Sequence, residues 1–317
     1  MNLLKKQKVC VSIICNTYNH GKYIKNALDS FISQETNFNY EILIHDDAST
    51  DNTADIIREY EKKYPNLIKP IYQTENQYSK NMNITQTFQV PRVKGKYIAL
   101  CEGDDYWLDS KKLQRQYDIM EQNMNIDMCA HAAEKIRASD GKILGYIAPC
   151  NEKKIFDVEE VIIGGGGFVA TNSLFYRREL AEMPTEFRRF CPLDYALQIQ
   201  GALKGGMLYL PEVMSAYRVD VPGSWSARMS HSSYADEQRN EIKKMLDIVD
   251  KETLGQYSES VRRAKLIVDF ASLETAGQYK ELRRGKMREI YNEKTIVWKM
   301  KAYLKEFFPE LIRFFRR

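Results

Sequence analysis

A chain of 317 residues, 44% hydrophobic and 28% charged, has the make-up of an ordinary soluble globular protein and is long enough for one large core or two modest ones. Its net charge of +4 is too small to argue for a nucleic-acid partner. From Arg283 onward, however, eleven Lys and Arg stand against four Glu, so a basic end follows a slightly acidic remainder. The six cysteines (Cys10, Cys15, Cys101, Cys129, Cys150 and Cys191) are scattered without a Cys-x-x-Cys pair, which suits a reducing compartment. Residues 1–9 are too short and too charged for a signal peptide, and no stretch approaches the roughly 18 apolar residues of a membrane span. The expected location is the cytoplasm.

In chain order, Val9–Cys15 reads as a strand buried on both faces and breaks at the polar loop Asn16-Thr17-Tyr18-Asn19-His20-Gly21. Ile24, Leu28, Phe31 and Ile32 then fall at helical spacing. Tyr40–His45 is a second strand, ending in Asp46-Asp47-Ala48-Ser49-Thr50-Asp51, where Thr50 or Asp51 can cap a helix over Thr53–Tyr64 that Pro65 closes. A third strand is expected over Leu67–Tyr72 and a helix near Met82–Phe88. A fourth strand, Tyr97–Cys101, runs directly into Glu102-Gly103-Asp104-Asp105-Tyr106-Trp107. Lys111–Asn123 is helical and Asp127–Ala133 a further strand.

This alternation, with a repeat of roughly 30 residues, predicts parallel βαβ units in an open α/β sheet. The loops 16–20, 46–51 and 102–107 should then meet at its carboxyl edge, where such sheets bind ligands. Three acids within four residues repel one another. A hard divalent ion, Mg²⁺ or Mn²⁺, takes such oxygens and leaves positions for substrate phosphates, while a solvated acidic turn is the competing reading. The chain has no Walker loop and no dinucleotide Gly-x-Gly-x-x-Gly after the first strand. Gly164-Gly165-Gly166-Gly167 reads either as a flexible or close-packed loop lining the site or as a spacer.

With these residues in view, residues 9–225 resemble the family 2 glycosyltransferases. The matching stretches are Val-Ser-Ile-Ile-Cys-Asn-Thr-Tyr-Asn (11–19), Glu-Ile-Leu-Ile-His-Asp-Asp-Ala-Ser-Thr-Asp-Asn-Thr (41–53), Gly-Lys-Tyr-Ile-Ala-Leu-Cys-Glu-Gly-Asp-Asp (95–105) and Leu-Asp-Tyr (193–195). The resemblance implies a GT-A fold, a Rossmann-like and mostly parallel open sheet with flanking helices, over residues 1–228, followed by a helical C-terminal extension over 229–317. It implies an inverting, metal-dependent hexosyl- or N-acetylhexosaminyl-transferase. Such an enzyme moves a sugar from a UDP-sugar to a glycan or lipid-linked acceptor in surface polysaccharide synthesis, of capsule or O-antigen type.

Residue by residue, Tyr18 with its neighbours Thr17 and Asn19 would contact the uracil and ribose, and Asp47 with Asp46 would bond the base, which offers an N–H that a carboxylate accepts. Asp46 and Asp47 could instead cap a helix, a task for which Asp51 is better placed. Glu102-x-Asp104 stands where the family usually has Asp-x-Asp: Asp104 is the metal candidate, with Glu102 reaching the metal's waters or the ribose. Asp105 would lie behind the metal or hold the sugar. Trp107 reads as a packing residue before a sugar-stacking platform. Asp194, in Cys191-Pro192-Leu193-Asp194-Tyr195, would be the general base, with capping of the helix Tyr195–Lys204 as a compatible structural role. The closing strand ends in Tyr217-Arg218; Arg218 is a phosphate clamp or an ion-pair partner. The family often has a His next, where this chain has Asp220; His231 is either its displaced counterpart or a lone surface residue. The other histidines show no zinc-ligand spacing.

From about Ser232 the pattern is helical and charged. The end, from Val297 to Arg317, mixes aromatics with bases, as in a helix that lies on an anionic membrane surface; packing on the domain or a homodimer contact is the alternative. A nucleotidyltransferase would share the acidic α/β site but is expected to carry a basic, Gly-rich phosphate loop that residues 16–21 do not form. A catalytically silent nucleotide-sugar or glycan-binding module is the rival outside enzymes, motivated by Glu102 and the shortened base motif.

Overall fold

The computed structural model describes residues 8–229 and 232–308. The run Pro309–Arg317, His231 and the first seven residues, all of which enter the expectations above, lie outside the described residues.

Ten strands among the described residues form one sheet: β1 (Val9–Thr17), β2 (Asn39–Asp46), β3 (Ile68–Tyr72), β4 (Tyr97–Leu100), β5 (Tyr106–Trp107), β6 (Met128–Arg137), β7 (Ile143–Ile147), β8 (Lys154–Phe156), β9 (Phe175–Arg177) and β10 (Met207–Val219). Their order is β3-β2-β1-β4-β9-β6-β10-β5, with β7 on the side of β6 and β8 on that of β10. β1 to β4 are mutually parallel, as continuous apolar runs joined by the helices Ile24–Ile32 and Thr53–Lys63 require. Beyond β4 the sheet is mixed. β9 runs antiparallel to both β4 and β6, while β6 and β10 are parallel. This part leaves little trace in the sequence because β5, β8 and β9 are only two or three residues long.

β10 carries two irregularities against β6: Leu210 faces His131 but Val213 faces Ala132, and Ser215 then faces Ala133. Pro211 sits in the first of these bulges, where no ladder N–H is needed. The expected helix near Met82–Phe88 is a single wide helical turn at 85–89 running into a tight one at 90–92 around Pro91. The turn drives Gln89 inward: it is fully buried and its amide donates to the carbonyls of Cys15 (3.3 Å) in β1 and Leu43 (3.2 Å) in β2.

The chain divides into two compact units. One takes 162–164 and everything from Arg228 on, and the other the residues before them and 165–227. In the larger unit the core gathers Val11, Ile13, Ile42, Ile44, Phe31, Leu113 and Phe175 around the sheet. Trp107 belongs to this core. It is 4% exposed, packs on Phe31 at 4.8 Å and donates its indole N–H to the Asn172 carbonyl (3.0 Å), so of its two expected uses the structure selects packing. Lys112 lies fully buried with its ammonium 4.0 Å over the Trp107 ring and bonded to Gln116 (2.7 Å); burial pulls it down to about 7.

The smaller unit is helical, with long helices Ser232–Glu252 and Ser258–Thr275 and a last one, Ile296–Phe307. Its core is Leu266, Phe270, Tyr279, Leu282, Ile290 and Ala302, with Trp298 against it. The last helix buries Ala302 but leaves Ile296, Val297, Met300, Tyr303, Leu304 and Phe307 exposed. Most of these stand three or four residues apart and therefore form one stripe. Among the described residues no helix is long and apolar enough to cross a membrane.

Candidate active site

The loops after β1, β2 and β4 meet at one edge because the strands are parallel and in register, and their backbones are tied together. Asp47 N–H donates to the Thr17 carbonyl (3.0 Å), and Gly103 N–H to that of Asn16 (3.0 Å). The first two loops are also stitched through side chains. Asn19 adopts a left-handed backbone (φ 55°) and its amide oxygen accepts from Thr50 N–H (2.7 Å). Gly21 N–H donates to Asp51, which also accepts from Thr53 N–H at the start of the next helix (2.9 Å each).

Asp46 is buried and accepts from Ser49; burial raises its carboxyl above the usual range against the pull of those bonds. Asp47 accepts from Gln77 N–H (2.8 Å) on one oxygen and Tyr78 N–H (3.0 Å) on the other, so it anchors the segment 73–81 to the β2 edge. Each of its oxygens keeps a second lone pair. Thr17 is buried beneath the loop, whereas Tyr18 stands at the rim, 43% exposed.

After β4 the acids meet a different environment. Asp105 is 2% exposed and both its oxygens are taken: Arg218 N–H donates to one (2.7 Å) and the Asn172 amide to the other (3.0 Å). It therefore fixes the loop from behind. Burial, then the charge of Asp104, push its carboxyl well above the usual range. Arg218 sits over the Tyr106 ring (4.6 Å), donates to the Asp104 carbonyl and reaches Asn26 (3.0 Å), so its guanidinium clamps the main chain of the acidic loop.

Glu102 is pushed up to about 8, first by burial and then by the charges of Asp104 and Asp194. Asp194 opens the helix Asp194–Ala202, accepts from the Thr171 hydroxyl and is raised by burial. Glu102 and Asp194, far apart in sequence, thus feel one another's charge. The Gly166 carbonyl accepts from Gln198 of that helix (3.3 Å), and a β-carbon at Gly166 would stand 3.4 Å from Tyr195, an ordinary contact. One at Gly165 or Gly167 would meet nothing within 4 Å, so of these three glycines only Gly166 packs on the helix.

Four residues complete this arrangement without having been singled out above. Tyr217 is half-buried and its phenol is raised by burial and by the charges of Asp105, Asp104 and Asp194. Thr171 holds Asp194, and Asn172 holds Asp105. His20 brings its Nε2 to 3.8 Å from Asp104. Tyr217 was within reach as the neighbour of Arg218, and His20 as the end of the first loop; Thr171 and Asn172 carry no local signal.

Among the described residues no three His, Cys, Asp or Glu side chains form a ready-made metal cage. The donors nevertheless fit a hard divalent ion. Such ions commonly take one or two carboxylates and complete their shell with substrate phosphates, and Glu102 and Asp104 are two carboxylates that repel each other.

The family model for "Glycosyl transferase family 2" matches residues 12–182. Uncharacterized protein Rv1520 of Mycobacterium tuberculosis is 35% identical over 231 residues, 72% of this chain and 63% of that protein. The chain thus spans somewhat less than two thirds of the length of the first relatives it matches. A poly(ribitol-phosphate) beta-glucosyltransferase of Bacillus spizizenii is 34% identical over 116 residues, 36% of this chain and 18% of that one. Among solved structures, S. aureus TarS 1–349 in complex with UDP-GlcNAc superposes with a TM-score of 0.60 at 15% identity, covering 94% of this chain and 79% of that one. The mannosyltransferase PcManGT of Pyrobaculum calidifontis, in complex with GDP-Man and Mn²⁺, does so with 0.57 at 14% identity, covering 97% and 86%. At such identities these two likenesses speak for the GT-A fold. The match of the family model to more than half of the chain goes further: this protein belongs to glycosyl transferase family 2.

Proposed function

We propose that the chain is an inverting, metal-assisted hexosyl- or N-acetylhexosaminyl-transferase that moves a sugar from a UDP-sugar to a glycan or lipid-linked acceptor in surface polysaccharide synthesis, of capsule or O-antigen type. The observation that carries this is the convergence of Glu102, Asp104 and Asp194, each sensed in the electrostatics of the site. The beta-glucosyltransferase relative supports the polymeric product, and the UDP-GlcNAc of TarS and the Mn²⁺ of PcManGT support the donor and the ion.

Asp194 is the general base. Its raised carboxyl is a better proton acceptor than an exposed one, and the Thr171 hydroxyl orients it toward the acceptor O–H. Asp104 with Glu102 would hold Mg²⁺ or Mn²⁺, which when bound neutralises charge on the departing diphosphate. Asp47 and Asp46 select the base, Asp47 through its spare lone pairs, and Tyr18 with Thr17 and Asn19 receives uracil and ribose. Arg218 and Asp105 keep Asp104 in place.

Calorimetric binding of UDP, GDP and CMP with and without Mn²⁺, to the wild type and Asp104→Asn, tests the site. Metal-dependent UDP binding that is lost in the variant is expected. Equal binding of the three nucleotides, or binding indifferent to metal, would overturn the donor assignment and favour a silent binding module.

The exposed stripe of the helix Ile296–Phe307, flanked by Lys299, Lys301 and Lys305, is assigned to an anionic bilayer, each lysine adding about 1 kcal/mol of attraction near such a surface. This would place the enzyme peripherally, at the inner face of the cytoplasmic membrane. Co-sedimentation with phosphatidylglycerol vesicles but not phosphatidylcholine vesicles, weakened by Met300→Glu, is the expected result. Concentration-dependent dimerisation without vesicle binding would instead assign the stripe to a second copy.

A further inference from the structure

His20 and Asp104 face each other from different loops at ion-pair distance, just beyond the reach of a hydrogen bond. His20 Nε2 lies 3.8 Å from Asp104 Oδ2, too far for a direct bond. Two ligands set at right angles about a hard divalent ion at about 2.1 Å each stand about 3.0 Å apart, so a closure of under 1 Å would turn this gap into a coordination edge.

The backbone is held on both sides, which leaves the closure to the side chains. The His20 carbonyl accepts from Tyr23 N–H and Ile24 N–H (2.8 Å each), which fixes the residue at the mouth of the helix Ile24–Ile32. Asp104 is held through its carbonyl by Arg218. The approach depends on Gly103. A β-carbon there would lie 2.6 Å from Thr17 Oγ1 and 3.0 Å from His20 Nδ1, so any side chain would push the two loops apart.

Among the described residues, Thr17 Oγ1 and His20 Nδ1 are also buried atoms with no hydrogen-bond partner. Metal-ligating histidines almost always donate their second N–H to an oxygen that fixes ring and tautomer. Here the Thr17 hydroxyl, against the same glycine and not bonded to the ring in this structure, would become that acceptor when the side chains close on an ion.

We infer that His20 is the nitrogen ligand of the divalent-cation site at Asp104, oriented by Thr17, and that Gly103 is required to bring the two loops together. The inference rests on the metal-assisted reading above and adds a ligand from the β1 loop to the acids of the β4 loop. It also bears on ion choice. An imidazole shifts a carboxylate site away from Mg²⁺ and toward the later first-row ions, so Mn²⁺ and Co²⁺ should bind better than Mg²⁺.

Pulsed EPR on the full chain loaded with Mn²⁺ and UDP tests this directly, because a coordinated imidazole nitrogen modulates the Mn²⁺ echo. Modulation is expected in the wild type, altered on histidine-selective ¹⁵N labelling and absent in His20→Gln. That variant should also lose on the order of tenfold or more in Mn²⁺ affinity, and less for Mg²⁺. The wild-type spectrum needs no variant to fold. Bound Mn²⁺ without histidine coupling, or coupling that persists in His20→Gln, overturns the inference while leaving the metal reading intact. No Mn²⁺ binding by the wild type, with or without UDP, overturns both.

Discussion

Asp47 and Asp51, at the β2 edge, bond both of their oxygens to backbone N–H groups, Asp47 in the segment 73–81 and Asp51 at Gly21 and at Thr53 of its own helix start. For Asp51 burial works against ionisation, yet the bonds from Thr53 and Gly21 outweigh it and hold the carboxyl below its usual range. At the β4 edge the balance is reversed: Glu102 is raised to about 8, and burial together with two neighbouring carboxylates decides its state. The two edges flank β1 in the same sheet and have similar acid content. The difference teaches how to sort carboxylates. Acids whose two oxygens each accept an N–H, Asp105 among them, build the loops, and acids left facing one another await a cation or a reacting hydroxyl.

The sharpest break between the two classes comes from removing one acid of each. Asp194→Asn keeps an acceptor for Thr171 and removes a buried charge. We expect kcat to fall by about 10²–10⁴-fold while UDP affinity and the melting temperature hold or rise, read by steady-state kinetics beside thermal unfolding. A loss of stability with unchanged kcat would make Asp194 a helix-capping residue.

Lys112 sharpens the comparison from the cationic side, since it too is a buried charge. Its ammonium titrates near 7 when folded and near 10.5 when unfolded, so the unfolded chain binds the proton more tightly between these values. Stability therefore climbs as pH rises from about 7 to about 10.5, and the full cost of burying the charge is present below pH 7. Lys112→Met should stabilise the protein by about 1–4 kcal/mol at pH 6, with the gain vanishing toward pH 10.5; denaturant unfolding at both pH values checks it.

The smallest effect belongs to Asp47, the acid bonded by two backbone N–H groups. Asp47→Ala strips the acceptor from Gln77 and Tyr78 N–H and should cost about 1–3 kcal/mol. It should raise the donor KM and speed amide exchange in 73–81, with kcat largely kept. An unchanged exchange pattern would remove Asp47 from the loop-building class.

The strands β1 to β4 and their three loops were legible in the sequence because each apolar run stops abruptly at polar residues, and the acidic run announces itself by its density. The partners of those acids were not. Asp47 is held by residues 30 and 31 positions later, and Asp105 by Asn172 and Arg218, all through loop geometry that no local pattern encodes. His20 meets Asp104 only because Gly103 lacks a side chain, and a single glycine among 16 carries no mark of that duty. The wide turn at 85–89 escaped because Gln89, a polar residue in a helical pattern, is the one driven into the core.

The bulges of β10 have a consequence for how this chain tolerates change in length. The extra residues between Leu210 and Ser215 reset the alternation of the strand before it reaches Tyr217 and Arg218. Deleting one residue at 211 or 212 shifts the phase by one, so Tyr217 and Arg218 exchange faces of the sheet. The apolar ladder from Met207 to Leu210 would still zip onto β6, and the domain would still fold. Its acidic loop, however, would lose the Arg218 clamp, and Val219 would stand where the guanidinium had been. Single-residue gaps in this short stretch would thus yield folded but inactive proteins, whereas insertions at the exposed tip 139–142 of the β6–β7 turn should pass unnoticed.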